Sequence, residues 1–85
     1  MDRLPVESSN IKSIGYDTQT RTMEIEFGKD VEAGYWHNRL YHYFEVPPEI
    51  HQALLDAPSK GKFLYENIAY AFTYKYIGKL NEIED

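Results

Sequence analysis

The sequence contains no cysteine, and this absence removes several classes of protein. Without thiols the chain forms neither disulfides nor thiolate metal sites, which excludes a disulfide-stabilised secreted mini-protein. It also has no apolar run near the roughly 20 residues that cross a bilayer, and no basic segment followed by an apolar one at its start. We therefore expect a cytoplasmic protein that makes no use of a membrane.

Basic residues are scarce. Nine Lys and Arg stand against 14 Asp and Glu, for a net charge of −5 at pH 7. Proteins that hold nucleic acid by neutralising phosphates usually present a basic surface, so this balance argues against strong non-specific binding and leaves room only for a local basic patch.

Signatures of catalysis and cofactor binding are missing as well. No Gly-rich phosphate loop, nucleophile elbow or Ser/His/Asp arrangement occurs, so we expect no enzyme and no cofactor. Glu24 and Glu26 share one face of a predicted strand, where exposed carboxylates are ordinary. His37, His42 and His51 do not converge, and we predict no metal site.

What the chain does have is aromatic side chains, with 8 Tyr, 4 Phe and 1 Trp among 85 residues of which 42% are apolar. Rings of this size let a short chain bury enough area for one hydrophobic core. We predict a single domain over residues 6–77, preceded by an N-terminal arm at residues 1–5 and followed by an acidic, flexible tail at residues 78–85.

Period-two alternation predicts antiparallel strands. Residues 11–16 and 22–27 flank Asp17, which suits a tight turn, and residues 22–27 place Met23, Ile25 and Phe27 on one face. A third strand is predicted from about residue 35 to 45, with apolar side chains on both faces, and a last strand over residues 69–77.

Between the last two strands the period changes to that of a helix. Ile50, Ala53, Leu54 and Ala57 share one helical face, and Pro48 suits the first turn of a helix over residues 47–57. Ser59 suits the cap of a short second helix, which Asn67 would end in a left-handed conformation. The predicted fold class is α+β, an antiparallel sheet of about four strands with one amphipathic helix and a short second helix on one face.

An ordered set of short patterns resembles one known family. The set consists of Ser8-Ser9-x-Ile11-x-x-Ile14-Gly15-Tyr16-Asp17, Met23-x-Ile25-x-Phe27, Tyr41-x-Tyr43-x-x-Val46-Pro47, Leu54-Leu55-x-Ala57-x-Ser59-x-Gly61 and Asn67-Ile68. Together they resemble the KTSC domain, named for the lysyl-tRNA synthetase C-terminus and also found in short stand-alone bacterial and phage proteins. The resemblance implies an uncharacterised accessory module, with RNA as the implied partner.

The chain departs from the family pattern in two places. The connection between Phe27 and Tyr41 is longer than the usual hairpin. After Ile68, where relatives tend to be rich in Arg and Gly, this chain has aromatic residues, which weakens any RNA contact that those arginines make.

Two interpretations of function follow. The first is RNA binding through an aromatic sheet face, because bases stack on exposed rings and cations meet phosphates. Its candidate residues are Tyr41, Tyr43, Lys60, Lys62 and Lys75. The alternative interpretation of these tyrosines is that their rings pack in the hydrophobic core.

The second interpretation is a protein-interaction or self-associating module that uses an aromatic edge strand and the connection at residues 28–39. An edge strand offers unpaired backbone groups to another chain. Its candidate residues are Tyr35, Trp36, Tyr74 and Tyr76.

Overall fold

The structure is a computed structural model that describes residues 1–8, 10–28 and 39–79. Within these ranges the chain forms five strands and two helices: β1 (Arg3–Pro5), β2 (Ile11–Asp17), β3 (Thr22–Phe27), β4 (Arg39–Tyr43), α1 (Pro48–Asp56), α2 (Lys60–Asn67) and β5 (Tyr74–Lys79). The strands make one antiparallel sheet whose spatial order follows the chain. The α+β class is confirmed, with one strand more than the four expected.

The additional strand is β1, which corrects the prediction of an unpacked arm at residues 1–5. Arg3 lies opposite Gly15, and Pro5 lies opposite Ser13. A Cβ at Gly15 would come within 2.7 Å of the Asp2 carbonyl oxygen, so β1 approaches β2 closely because this position has no side chain. Three residues are too few for a period to be visible in the sequence, and the prediction therefore missed them.

The turn between β2 and β3 forms as the sequence predicts. The Asp17 carboxylate accepts hydrogen bonds from the backbone N–H groups of Gln19 (2.9 Å) and Thr20 (3.4 Å). The hairpin register then places Ile14 opposite Ile25 and Tyr16 opposite Met23. All four side chains belong to the sheet face that packs against the helices, which we call the inner face.

The two helices cover the inner face. Pro48 opens α1 and Glu49 lies in its first turn, as expected for the positive end of a helix. Ser59 occupies the N-cap of α2 without a side-chain capping bond, and Asn67 donates its amide to the Phe63 carbonyl oxygen (3.1 Å) instead of adopting a left-handed conformation. The core comprises Ile11, Ile14, Met23, Ile25, Tyr43, Val46, Leu54, Leu64 and Ile68.

The last strand begins later than predicted. Residues 68–71 form turns in which the N–H groups of Ala71 and Phe72 bond to the Ile68 carbonyl oxygen, at 3.1 and 3.2 Å. These backbone groups are therefore not part of the sheet ladder, and β5 starts at Tyr74. The strand continues to Lys79, so Gly78 and Lys79 belong to the sheet and not to the predicted tail, whose residues 80–85 lie outside the described ranges.

The third predicted strand is present as β4. Its far end is set by Glu45, whose φ of 56° is left-handed and directs the chain into α1. Residues 29–38, which include the start of the predicted strand, lie outside the described ranges. Neither α1 nor α2 has the length and apolar character that a membrane-spanning helix needs, and the described ranges contain no other helix.

Tyr16 ties the sheet to α1 by two contacts. Its hydroxyl donates a hydrogen bond to the Val46 carbonyl oxygen just before the helix, and its ring stacks on His51 with centroids 4.4 Å apart and planes 8° apart. Burial lowers the pKa of His51 and so favours the neutral imidazole in the stack.

We expect Tyr16→Phe to lower the free energy of unfolding by about 1 kcal/mol, because the Val46 carbonyl loses its partner while the ring stack remains. Urea denaturation followed by circular dichroism measures this difference. Tyr65→Phe is the matched control, since Tyr65 is exposed on α2 and the change should leave stability unaltered. Equal stabilities for the wild type and Tyr16→Phe would show that the hydrogen bond contributes nothing.

Candidate functional site

An open groove of about 460 Å³ lies on the inner face where the helical cover ends. One wall comes from β4 and β5 and the other from α2 and the turn that follows it. Its lining consists of Asn10, Phe27, Gly28, Arg39, Tyr41, Tyr43, Leu64, Ala69, Tyr70 and Tyr74. We call this feature the aromatic groove.

Strand pairing builds the sheet-side wall. Tyr41 lies opposite Tyr76, and Tyr43 lies opposite Tyr74, so four tyrosines share one face of two neighbouring strands. The Tyr41 centroid is 5.2 Å from that of Tyr76 and 5.9 Å from that of Tyr74. These are ordinary distances for interacting aromatic pairs, so the rings support one another.

Exposure differs among these four rings, with Tyr41 half-buried between two extremes. Tyr43 is 5% exposed and belongs to the core, whereas Tyr74 and Tyr76 are 56% and 44% exposed. Burial, with a further contribution from Tyr41 and Tyr74, raises the pKa of Tyr43 to about 12. Tyr43 is therefore a neutral phenol in the floor of the aromatic groove, and β5 supplies the accessible ring surface.

The helix-side wall adds Tyr70, which was not named among the candidate residues, and Tyr65 supports it from α2. Tyr70 lines the aromatic groove and is 84% exposed, and its ring meets that of Tyr65 edge to face at 5.6 Å. The strand predicted over residues 69–77 assigned Tyr70 to the sheet. The sequence did contain a signal for this position. If the helix ends at Asn67, a turn has to follow it, and the last strand then begins after residue 69.

One end of the aromatic groove is polar. Arg39 lies opposite Phe27 in the sheet, and the Gly28 N–H donates to the Asn10 carbonyl oxygen (3.0 Å), so all four residues meet at this end. The Phe27 and Tyr41 rings meet here edge to face, with centroids 5.4 Å apart. Arg39 and Asn10 thus lie at the end of the aromatic groove that Phe27 and Tyr41 also line.

The predicted lysines do not gather at the aromatic groove. Lys75 pairs with His42 on the sheet face away from the helices, the outer face. The Lys60 ammonium donates to the Ala57 carbonyl oxygen (3.1 Å), and Lys62 is exposed on α2. The structure therefore places Tyr41 and Tyr43 in the aromatic groove without the three lysines.

The protein-interaction candidates divide similarly. Tyr74 and Tyr76 lie on the same face as Tyr41 and Tyr43, so the two interpretations share one surface. Tyr35 and Trp36 lie outside the described ranges.

Comparison with known proteins identifies the chain. The family model described as the KTSC domain matches residues 7–72. The chain belongs to the KTSC domain family. The family resemblance read from the sequence is thereby confirmed, and the matched region ends just before β5.

Relatives of this KTSC domain include an uncharacterised protein of Stutzerimonas stutzeri, 40% identical over 73% of this chain and 76% of the relative. A lysine–tRNA ligase of Nostoc punctiforme is 34% identical over 87% of this chain, which spans only 12% of that protein. The crystal structure of a KTSC domain protein from Yersinia pestis superposes with a TM-score of 0.75 at 42% identity, covering 91% of this chain and 97% of that one.

The outer face of the KTSC domain carries a network of charged groups. Glu24 is 8% exposed, and its carboxylate bonds to the Arg3 guanidinium and to His42 Nε2, each at 2.7 Å. Ser13 donates to Glu26 and accepts from Arg3 Nε. The expectation of ordinary exposed carboxylates is wrong for Glu24, because Arg3 reaches it from β1 across β2 and His42 reaches it from the neighbouring β4.

Burial on its own would raise the pKa of Glu24, but the hydrogen bonds from His42 and Arg3 outweigh it and hold the pKa below its usual 4.5. His51 lies in its stack with Tyr16, and His37 is outside the described ranges. Over residues 1–8, 10–28 and 39–79, no three His, Asp or Glu side chains are grouped as metal ligands.

Acid should weaken the KTSC domain through Glu24. Its folded-state pKa is lowered, so the unfolded chain takes up the proton first, and stability present above pH 4.5 is lost as the pH falls below it. We expect Glu24→Gln to be less stable than the wild type at neutral pH and to lose less stability on acidification. Urea denaturation across the pH range tests this, with Glu66→Gln, an exposed carboxylate on α2, as the control. Parallel pH profiles for the wild type and Glu24→Gln would contradict the assignment.

Proposed function

We propose that this KTSC domain is a non-catalytic accessory module that binds unpaired nucleotides of RNA in the aromatic groove. The observation that carries the proposal is the exposure of Tyr70 and Tyr74 in the lining of an open groove whose floor is itself aromatic, with exposed Tyr76 against the Tyr41 ring beside it. Single-strand binders use such rings because every base has a face that stacks, at about 1–3 kcal/mol per base.

The charge distribution favours a short contact with few phosphates. The chain carries a net charge of −5, and among the described residues Arg39 is the cation that lines the aromatic groove. A guanidinium at the polar end suits a phosphate next to a stacked base. Stacking therefore supplies most of the affinity in this proposal, and charge supplies a smaller part.

The relatives give separate support. Lysine–tRNA ligases of cyanobacteria contain a segment similar to this chain, and their name states a tRNA substrate. A module carried by such a protein encounters RNA. This support concerns the class of partner and not the residues.

A protein segment is the second candidate, favoured by one observation. β5 is the last strand in the order of the described sheet, and it carries Tyr74 and Tyr76. Its outer edge offers backbone groups to an added strand, and aromatic grooves also accept extended peptides. Neither strand addition at β5 nor peptide binding in the aromatic groove requires a phosphate group on the partner.

We expect Tyr74→Ala to weaken binding of a mixed-sequence single-stranded RNA by about 5- to 150-fold, the loss of one stacked base. Tyr74→Phe should bind like the wild type, since the ring is retained. Lys75→Ala is the matched control, because the adjacent side chain lies on the outer face. NMR titration at low salt measures affinity and maps the surface.

Localised shifts at Tyr70, Tyr74 and Tyr76 would support RNA binding in the aromatic groove. An unperturbed spectrum would overturn the proposal. Equal losses in Tyr74→Ala and Lys75→Ala would place the RNA elsewhere. Shifts at the same residues with an extended peptide, and none with RNA, would favour the second candidate.

Salt dependence provides a further prediction. For single strands, log Kobs falls with log salt by about 0.7 per phosphate neutralised, so contact through Arg39 alone predicts a slope of about −0.7, and one further phosphate contact would make it about −1.4. Arg39→Gln should reduce its magnitude by about 0.7. Fluorescence anisotropy at several salt concentrations measures it. A slope steeper than about −3 would mean that the dispersed lysines, and not Arg39, hold the RNA.

A further inference from the structure

We propose that Asn10 selects the base held at the polar end of the aromatic groove, favouring bases that carry a keto oxygen, uracil or guanine, over those with an amino group in its place. This inference rests on the proposed RNA binding and adds to it a residue that determines specificity. It starts from the position of Asn10, which lies before β2 and lines the aromatic groove while remaining exposed.

One backbone contact and two side-chain contacts hold Asn10 in place. The backbone carbonyl accepts from the Gly28 N–H at 3.0 Å, which ties the residue to the end of β3. Side-chain Oδ1 accepts from the Ser8 hydroxyl at 3.3 Å. The side chain also lies against the first turn of α2, where a Cβ on Gly61 would come within 2.5 Å of Oδ1. A group held in this way presents its hydrogen bonds in a defined direction.

The chemistry of the amide determines what it selects. Oδ1 is already engaged with Ser8, while Nδ2 has no hydrogen-bond partner within the described part of the chain. Its two hydrogens are donors, so they match an acceptor on the edge of a base. Uracil and guanine present a carbonyl oxygen at the position where cytosine and adenine present an amino donor. Asn10 therefore favours the keto bases.

The neighbours of Asn10 supply the remaining contacts of a nucleotide. Phe27 and Tyr41 provide ring surface at the same end, and Arg39 lies opposite Phe27 in the sheet. A base lying on these rings is within the region that Asn10 borders, and its phosphate is near a guanidinium. Aromatic stacking with reading of the base edge is the usual way in which proteins recognise unpaired RNA.

The test compares six-nucleotide oligouridine and oligocytidine, which differ in this exocyclic group, by fluorescence anisotropy at low salt. We expect the wild type to prefer oligouridine by roughly 3- to 10-fold, the effect of one hydrogen bond. Asn10→Ala should remove the preference by lowering oligouridine affinity. Asn10→Asp presents acceptors only, so its ratio should reverse in favour of oligocytidine even though its added charge weakens both complexes.

Two further variants distinguish a failure of the proposed role of Asn10 from a failure of RNA binding itself. Ser8→Ala releases Oδ1 and should narrow the preference without abolishing binding, whereas Tyr74→Ala should weaken both oligonucleotides equally. Equal wild-type affinities, with Tyr74→Ala still weakening both, would overturn the role of Asn10 and leave RNA binding intact. Absence of binding to either oligonucleotide would overturn the proposed function and this inference with it. Thermal unfolding of each variant establishes that it is folded.

Discussion

Two short helices have to cover the apolar face of a five-stranded sheet, and this constraint shapes the rest of the molecule. α1 and α2 have nine and eight residues, or about 13 and 12 Å of helix. Their buried side chains pack with residues from β2, β3 and β4, and the described core includes none from β5. The inner face therefore continues beyond its cover, and tyrosines occupy the uncovered part. Their rings pack below while their hydroxyl ends tolerate water, which a row of leucines would not.

The outer face has no helical cover, since neither of the described helices packs against it. Polar side chains hold that surface together by bonding across strands. Arg3 from β1 and His42 from β4 both reach Glu24 of β3. A short strand that would fray by itself is attached in this way to the centre of the sheet. The price is a carboxylate that depends on its partners, because an unpaired charge at this degree of burial is costly.

The sequence revealed features that rest on local chemistry. Asp17 marked its turn, Pro48 marked the start of α1, and the alternation of β3 identified which side chains enter the core. Features that rest on distant contacts were missed. Arg3 needs Glu24, which is 21 residues away. Tyr70 has the parity of a strand but lies in a turn. Lys75 was a different kind of error, because its local alternation with Tyr74 already places it on the outer face, away from the rings. The aromatic groove forms where segments that are distant in the chain come together, and the periodicity of the sequence carries no information about such contacts.

The strand order has a consequence for any fusion of this domain to a larger protein. β1 and β5 are the two opposite edges of the described sheet, separated by four strand spacings, or about 19 Å. A polypeptide fused ahead of Arg3 leaves from the β1 edge, while Tyr74 and Tyr76 lie on the strand at the opposite edge. The N-terminal attachment point and the exposed tyrosines of β5 therefore lie at different edges of the sheet. A protein fused ahead of Arg3 is therefore attached at the edge opposite the exposed rings of β5 and does not cover that edge.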